Sequence, residues 1–333
     1  MKVLVTGAAG HIGHVVVRWL REQGMEVRGF DRAPEMPIPD VEYLSGDITD
    51  VDTVREAVKG CDSVVHLAAL RAPMLGTAEE VYHINTTGSF FVYEAAAKAG
   101  IKRVVQASSI NALGCAWNIG DMDIQYFPID EDHPTATSDP YSFSKEIDER
   151  IADYYWRRDG ISGVSFRLPG VYGEDYAGSE AYQTRYKAAM ALLDELVTLP
   201  QAELETRMEQ AREIALDFRA RRMMETKNYH EALEGDELAH MYNFERFNFW
   251  ASMDVRDAAQ AFAKALTADY EGHHPLYVNA DQNSLKYDSA TLIRLFFPGV
   301  PFKRPLVGGE TMVSNERARD LIGYEPAYHI AGN

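Results

Sequence analysis

Apolar positions in the first hundred residues fall either in short continuous runs or in stripes at helical spacing. Lys2-Val-Leu-Val-Thr6 reads as a buried strand, and the stripe after it predicts a helix from about Ile12 to Gln23, closed by Gly24. Glu26–Phe30 is the next predicted strand, ending at Asp31, and Val41–Leu44 is another. Val51–Val58 is expected to be helical, Ser63–Leu67 extended, Ala78 to about Ala99 helical and Arg103–Ser108 extended. Strands alternating with helices build a parallel sheet covered on both faces, so the expected fold class is α/β with a doubly wound sheet.

The link between the first strand and helix changes the picture from architecture to chemistry. It reads Gly7-Ala-Ala-Gly10-His-Ile-Gly13, a G-x-x-G-x-x-G spacing. In such a loop one glycine permits the tight turn, one lets a pyrophosphate approach the backbone and one lets the helix pack close to the strand. With a strand before it, a helix after it and an acid closing the second strand, the loop predicts a dinucleotide site of the Rossmann type. Gly7, Gly10, His11, Ile12 and Gly13 would line it. Asp31 stands where a carboxylate hydrogen-bonds the adenosine ribose and repels the extra phosphate of NADP, so NAD is the expected cofactor. Arg32 next to it leaves NADP possible, because a guanidinium there can hold that phosphate. Asp47 and Ile48 are placed to meet the adenine edge, and Leu67-Ala68-Ala69 offers small residues where a cofactor passes close to the backbone.

A second cluster of chemistry lies further along, at Tyr141-Ser-Phe-Ser-Lys145. Four residues apart on a helix, the phenol and the ammonium share one face. A phenol has an unperturbed pKa of about 10, and a neighbouring positive charge favours its ionised form. Such a pair is able to act as a proton acceptor beside a positively charged nicotinamide. Ser108 and Ser109 close the Arg103–Ser108 strand at its carboxyl end, the edge where ligands sit in doubly wound sheets. Asn85, in the middle of a predicted helix, is as readily a brace for the sheet as a ligand contact.

Composition narrows the function classes. The 333 residues carry 51 acidic and 33 basic side chains, a formal charge of −18, which argues against nucleic acid or an anionic membrane surface as a partner. Two cysteines, Cys61 and Cys115, are too few for a disulfide framework and point to a reducing compartment. No apolar run approaches membrane-spanning length, and the first strand at Lys2 leaves no room for a signal peptide, so a cytoplasmic enzyme is expected.

Together these motifs resemble the extended short-chain dehydrogenase/reductases, the group of NAD-dependent epimerases and dehydratases. The resemblance rests on Thr6-Gly7-x-x-Gly10-x-x-Gly13, Asp31, His66-Leu-Ala-Ala69, Ser108-Ser109, Pro140-Tyr141-x-x-x-Lys145 and Arg167-Leu-Pro-Gly-Val-Tyr-Gly173. Asp254-Val-Arg-Asp257 and Ala318-Arg-Asp-Leu-Ile-Gly-Tyr-Glu-Pro326 complete the series, which covers the chain outside roughly 178–248. It implies that Tyr141 is the acid/base, that Lys145 holds the nicotinamide ribose and depresses the tyrosine pKa, and that Ser109 orients the same substrate oxygen. Pro169 would line the nicotinamide side. An NAD-binding domain of residues 1–175 plus about 250–282 is expected. A smaller, mainly helical C-terminal substrate domain would comprise about 176–249 and 283–333, and the assembly would be a homodimer.

Three departures from the family pattern bear on the substrate. Ser109 is followed by Ile110-Asn111, where sugar dehydratases carry an acid pair, so elimination and decarboxylation are disfavoured. Asn111 is either a substrate partner or a structural amide. Gly170 stands where many nucleotide-sugar enzymes have an asparagine, which favours a free sugar, sugar acid or other small carbonyl compound. From Ser179 to Phe249 a helical insertion is predicted, with Leu192, Leu193, Leu196, Leu204, Met208, Ala211, Ala215 and Phe218 on its apolar stripe and Pro200 dividing two runs. Arg185 is its candidate substrate cation. Tyr229, His230, His240, Tyr242, Phe244, Phe247 and Trp250 form an aromatic core or face a sugar ring, and the histidine spacing suggests no metal site. The expected activity is hydride transfer at a secondary alcohol or ketone of a sugar-like small molecule. The alternatives are a nucleotide-sugar 4-epimerase that returns the hydride internally and a non-catalytic dinucleotide sensor.

Overall fold

The computed structural model describes residues 1–229, 231–233 and 235–328. Nine strands are described: β1 Lys2–Thr6, β2 Glu26–Asp31, β3 Glu42–Ser45, β4 Ser63–His66, β5 Val104–Ala107, β6 Gly163–Arg167, β7 Gly170–Tyr172, β8 Ser252–Asp254 and β9 His273–Tyr277. The helices are α1 Gly13–Glu22, α2 Val51–Val58, α3 Ala78–Lys98, α4 Pro140–Asp159, α5 Glu180–Leu196, α6 Gln201–Ala220, α7 Glu237–His240, α8 Val255–Thr267, α9 Ser289–Phe296 and α10 Glu316–Ile322. Seven strands form one parallel sheet in the order β3-β2-β1-β4-β5-β6-β9, and β7 pairs with β8 in a separate parallel ribbon. The chain runs outward from β1 to β3, then restarts at β4 on the other side of β1. The crevice at the carboxyl ends of β1 and β4 is therefore the topological switch point, where doubly wound sheets hold ligands.

Alternation along β1 shows why the sheet is covered twice. Val3 and Val5 enter a core with α1, α8 and α10, while Leu4 enters the opposite core with α2, α3 and α4. A third core joins α5, α6 and α9 to Phe127, Phe249 and Trp250. Most of the predicted insertion stripe packs there, with Leu193, Leu196 and Ala215 fully covered and Leu204 and Met208 partly so, while Phe218 joins a separate cluster with Met224, Leu233 and Ala239. Pro200 stands between the two runs, at the N-cap position of α6 after α5 has ended at Leu196. No helix among the described residues is long and apolar enough to cross a membrane.

Local chemistry fixes the helices that carry the site. α4 starts where the Asp139 carboxylate accepts the Ser142 N–H at 2.9 Å, with Pro140 in its first turn, and ends at Gly160 in the left-handed region. α3 begins with a reciprocal capping box between Thr77 and Glu80. Asn85 is a brace: its amide exchanges hydrogen bonds with the Leu70 backbone at 2.8 and 3.0 Å and donates to Ser144 Oγ at 2.9 Å. It thereby ties α3 and α4 to the loop after β4.

Candidate active site

The glycine loop lies against β4. Gly7 has φ of +69°, and a Cβ there would sit 2.7 Å from the Ala68 backbone nitrogen. At Gly13 a Cβ would lie 2.0 Å from the Gly7 carbonyl oxygen, so a side chain would push α1 off the turn. The loop opens into a cavity of about 780 Å³ lined at one end by Gly7, Gly10, His11, Ile12, Gly13, Asp31, Arg32, Asp47 and Ile48. Leu67, Ala68, Ala69 and Pro169 line its middle, and Ser109, Asn111, Tyr141 and Lys145 the far end. One continuous cavity thus collects the expected cofactor residues and the expected chemistry.

Asp31 braces the loop it faces, accepting the Ala9 N–H at 3.0 Å and the Ala33 N–H at 3.1 Å. Hydrogen bonds from Thr49 hold the Asp47 carboxyl below its usual range, with Arg32 adding to the effect. A glycine cradle at a helix start, a carboxylate at the end of β2 and a cavity joining them to Lys145 fit a dinucleotide.

At the far end of the cavity Ser109, Tyr141 and Lys145 are 5%, 6% and 4% exposed. The Ser109 hydroxyl acts on the Tyr141 phenol, pulling its pKa down, and accepts from the Asn111 backbone and side-chain nitrogens, each at 3.2 Å. Asn111 therefore serves both readings: its amide orients Ser109, and its side chain also lines the cavity. The Lys145 ammonium donates to the Ala107 carbonyl and to Asp148 Oδ2, both at 3.1 Å. Lys145 lowers the tyrosine pKa as expected, but among the protein's own groups it is not the largest influence. Burial pushes the phenol above its ordinary value, Lys145 and Ser109 pull it down, and Asp139 and Asp148 push it up. The lysine acts in the expected direction, but desolvation outweighs it.

Other expected residues divide into braces and outliers. Ser108 donates to Glu149 Oε1 at 2.7 Å, and Arg167 grips the same carboxylate through two nitrogens at 3.0 and 2.9 Å. Arg185 does not reach the cavity: it pairs with Glu245 Oε1 at 2.8 Å and remains 56% exposed. The insertion aromatics form a core, with Trp250 against Phe296 at 5.1 Å and Tyr229 and His240 both packed on Phe244. His230 lies outside the described residues, and no metal-binding group of His, Cys, Asp or Glu occurs among the described ones. Trp117, Asn248 and Arg71 line the cavity without having been expected, because the loops and turns that bring them there are remote in sequence. Asp148 was also missed, although its position one turn after Lys145 was a readable signal.

Fold and site together define a dinucleotide-binding α/β protein with a serine–tyrosine–lysine centre. Residues 3–203 match the NAD dependent epimerase/dehydratase family, and the chain belongs to that family. It is 33% identical over 182 residues to a 3 beta-hydroxysteroid dehydrogenase/Delta 5-->4-isomerase of Mycobacterium tuberculosis, covering 52% of this chain and 47% of that protein. A uronate dehydrogenase of Pseudomonas putida is 33% identical over 169 residues, 50% of this chain and 60% of the relative. The chain thus matches only about half the length of these curated relatives. A short-chain dehydrogenase/reductase superfamily protein from Agrobacterium tumefaciens, solved with bound NAD, shares the fold with a TM-score of 0.65 and 23% identity, covering 99% and 94% of the two chains.

Proposed function

We propose that this protein is an NAD-dependent oxidoreductase that moves a hydride at a secondary alcohol or ketone of a sugar or sugar derivative. The observation that carries the reading is the convergence of Ser109, Tyr141 and Lys145 at the end of the cavity that begins at the glycine loop and Asp31. Bound NAD would supply the hydride acceptor. Gly7, Gly10, His11, Ile12 and Gly13 would hold its pyrophosphate region, Asp31 its adenosine ribose and Lys145 its nicotinamide ribose. Arg32 leaves room for NADP. Tyr141 would take the proton of the substrate hydroxyl as the carbonyl forms, and Ser109 would donate to the same oxygen.

Two observations favour a free, sugar-like substrate. One is the similarity to the P. putida uronate dehydrogenase. The other is Gly170, where a Cβ would stand 2.9 Å from the Tyr172 hydroxyl. Tyr172 in turn stacks on Tyr176 at 4.1 Å, so aromatic rings fill the space in which an asparagine for a nucleotide carrier would have to stand. Those rings speak against the 4-epimerase alternative. Incubation with NAD and a panel of free sugars, sugar acids, nucleotide sugars and a 3β-hydroxysteroid decides between them. Stoichiometric NADH with a free sugar or sugar acid supports the proposal. Inverted nucleotide sugar without net NADH would replace it with the epimerase, and NADH from the steroid alone would replace the substrate class.

The free, buried cysteines support a cytoplasmic setting. A homodimer is supported by four aromatic rings exposed on α3 and α4: Tyr82, Phe90, Phe143 and Tyr154 are 38%, 41%, 43% and 41% exposed.

A further inference from the structure

The buried face of α4 carries a carboxylate that the proton transfer described above does not use. Asp148 is 1% exposed and forms an ion pair with Lys145 at 3.1 Å. Ser89 of α3 faces the Asp148 carboxyl and stands 3.1 Å from His66 Nε2, while His66 Nδ1 meets Thr6 Oγ1 at 2.7 Å. Lys145 takes up Asp148 Oδ2, and the buried Oδ1 has no hydrogen-bond partner among the described residues.

We propose that Asp148 is a positioning residue of the proton-transfer centre: it anchors the Lys145 ammonium, and its charge sets the pH at which the Tyr141–Lys145 couple gives up a proton. This rests on the reading of Tyr141 as the base. The groups facing Asp148 are few. Lys145 and Glu149 share its helix, Ser89 and Tyr93 face it from α3, and His66 approaches from β4 through Ser89. The Glu149 charge is taken up by Arg167 at 2.9 Å. The His66 ring is held neutral, its pKa lowered to about 3 by burial and by Lys145. Tyr93 is kept protonated by burial. Lys145 is thus the cation in contact with Asp148, and Asp148 the carboxylate in contact with Lys145.

The direction of the effect follows from charge. Burial raises the Asp148 pKa and the Lys145 ammonium opposes it; with Asp148 ionised in that ion pair, the lysine, tyrosine and carboxylate sum to zero before the couple loses its proton and to −1 afterwards. With asparagine at 148 the sums are +1 and zero, so in a buried site the proton leaves at lower pH. This holds whether the phenol or the ammonium releases it, because the two forms are tautomers with one macroscopic pKa.

The test uses full-length wild type, Asp148→Asn, Asp148→Ser and Tyr141→Phe, each checked by thermal melting. The acid limb of kcat/KM for oxidation is measured with the panel substrate that yields NADH. Near-ultraviolet phenolate absorbance, as a difference from Tyr141→Phe, is followed with NAD alone. Asp148→Asn is expected to move the acid limb about one unit or more to lower pH and to displace the phenolate titration. Asp148→Ser, which removes the same charge with a smaller polar side chain, shifts the limb the same way and decides the matter if Asp148→Asn does not fold. An acid limb that stays in place in whichever of these variants folds overturns the proposal, even if the rate falls. Turnover that survives in Tyr141→Phe overturns the underlying reading instead.

Discussion

Gly13 shows how one residue can decide whether a ligand binds. A methyl group there would meet the Gly7 carbonyl oxygen at 2.0 Å, a contact that only movement of α1 can relieve. Gly13→Ala should therefore weaken NAD binding more than tenfold in a calorimetric titration, and unchanged affinity would remove the loop from the cofactor site. Ser109 offers a test of the opposite kind. It lines the cavity beside Tyr141 and would donate to the substrate oxygen in the proposed reaction, so Ser109→Ala should cost about 10²–10³ in kcat, as loss of one oxyanion donor does, with NAD affinity retained. A loss confined to KM would make Ser109 a binding contact only.

At the scale of elements, the helical insertion is tied to the cavity wall by a buried arginine. Arg219 of α6 is 1% exposed, donates to the Ala116, Asn118 and Asn243 carbonyls and lies 3.3 Å over the Phe247 ring. Burial, reinforced by Arg246, pulls its pKa down to about 9, so the charge is held by carbonyls and a ring rather than by an adjacent carboxylate. Arg219→Ala leaves three carbonyls short of a donor and should cost about 3 kcal/mol or more in a denaturant melt, since each buried unsatisfied group costs about 1–3 kcal/mol. A loss below about 1 kcal/mol would show that the insertion holds itself in place.

The same scale explains what was legible in the sequence. β1, α1, β2 and α2 could be read because each is local: period two or 3.6, a cap, a glycine stop. The Tyr141–Lys145 face could be read because four residues on one helix fix its geometry. Trp117 and Asn248 could not, since a loop and a short turn 131 residues apart meet only through tertiary packing. Arg185 was misread because Glu245, sixty residues away, takes its charge. The lysine's pull on the tyrosine was legible, but the opposing burial was not, because periodicity says nothing about how completely a helix face is desolvated.

For the whole molecule, buried histidines couple stability to acid. His66 titrates near 3 in the folded protein, against 6.5 for an unperturbed histidine. Between those values the unfolded chain binds the extra proton, so this contribution to stability is present above pH 6.5 and is lost as the pH falls. From pH 7 to pH 5 the loss amounts to about 2 kcal/mol. Raised carboxyls such as Glu131 and Asp139 work in the opposite sense, which makes the comparison with a variant necessary. His66→Gln should have a shallower fall in unfolding free energy over this range, and parallel profiles would mean that His66 is not the group responsible. The exposed rings on α3 and α4 give a second expectation at this scale. Light scattering should report a dimer that Phe90→Glu and Phe143→Glu together dissociate, and a wild-type monomer would contradict it.

The central claim is that Tyr141 exchanges the proton while the glycine loop holds the dinucleotide. It is tested most directly by measuring NADH formation and NAD affinity side by side in wild type and Tyr141→Phe, with the panel substrate that turns over. The account predicts a loss of about 10²-fold or more in kcat with NAD affinity unchanged. Undiminished NADH formation by Tyr141→Phe would contradict it.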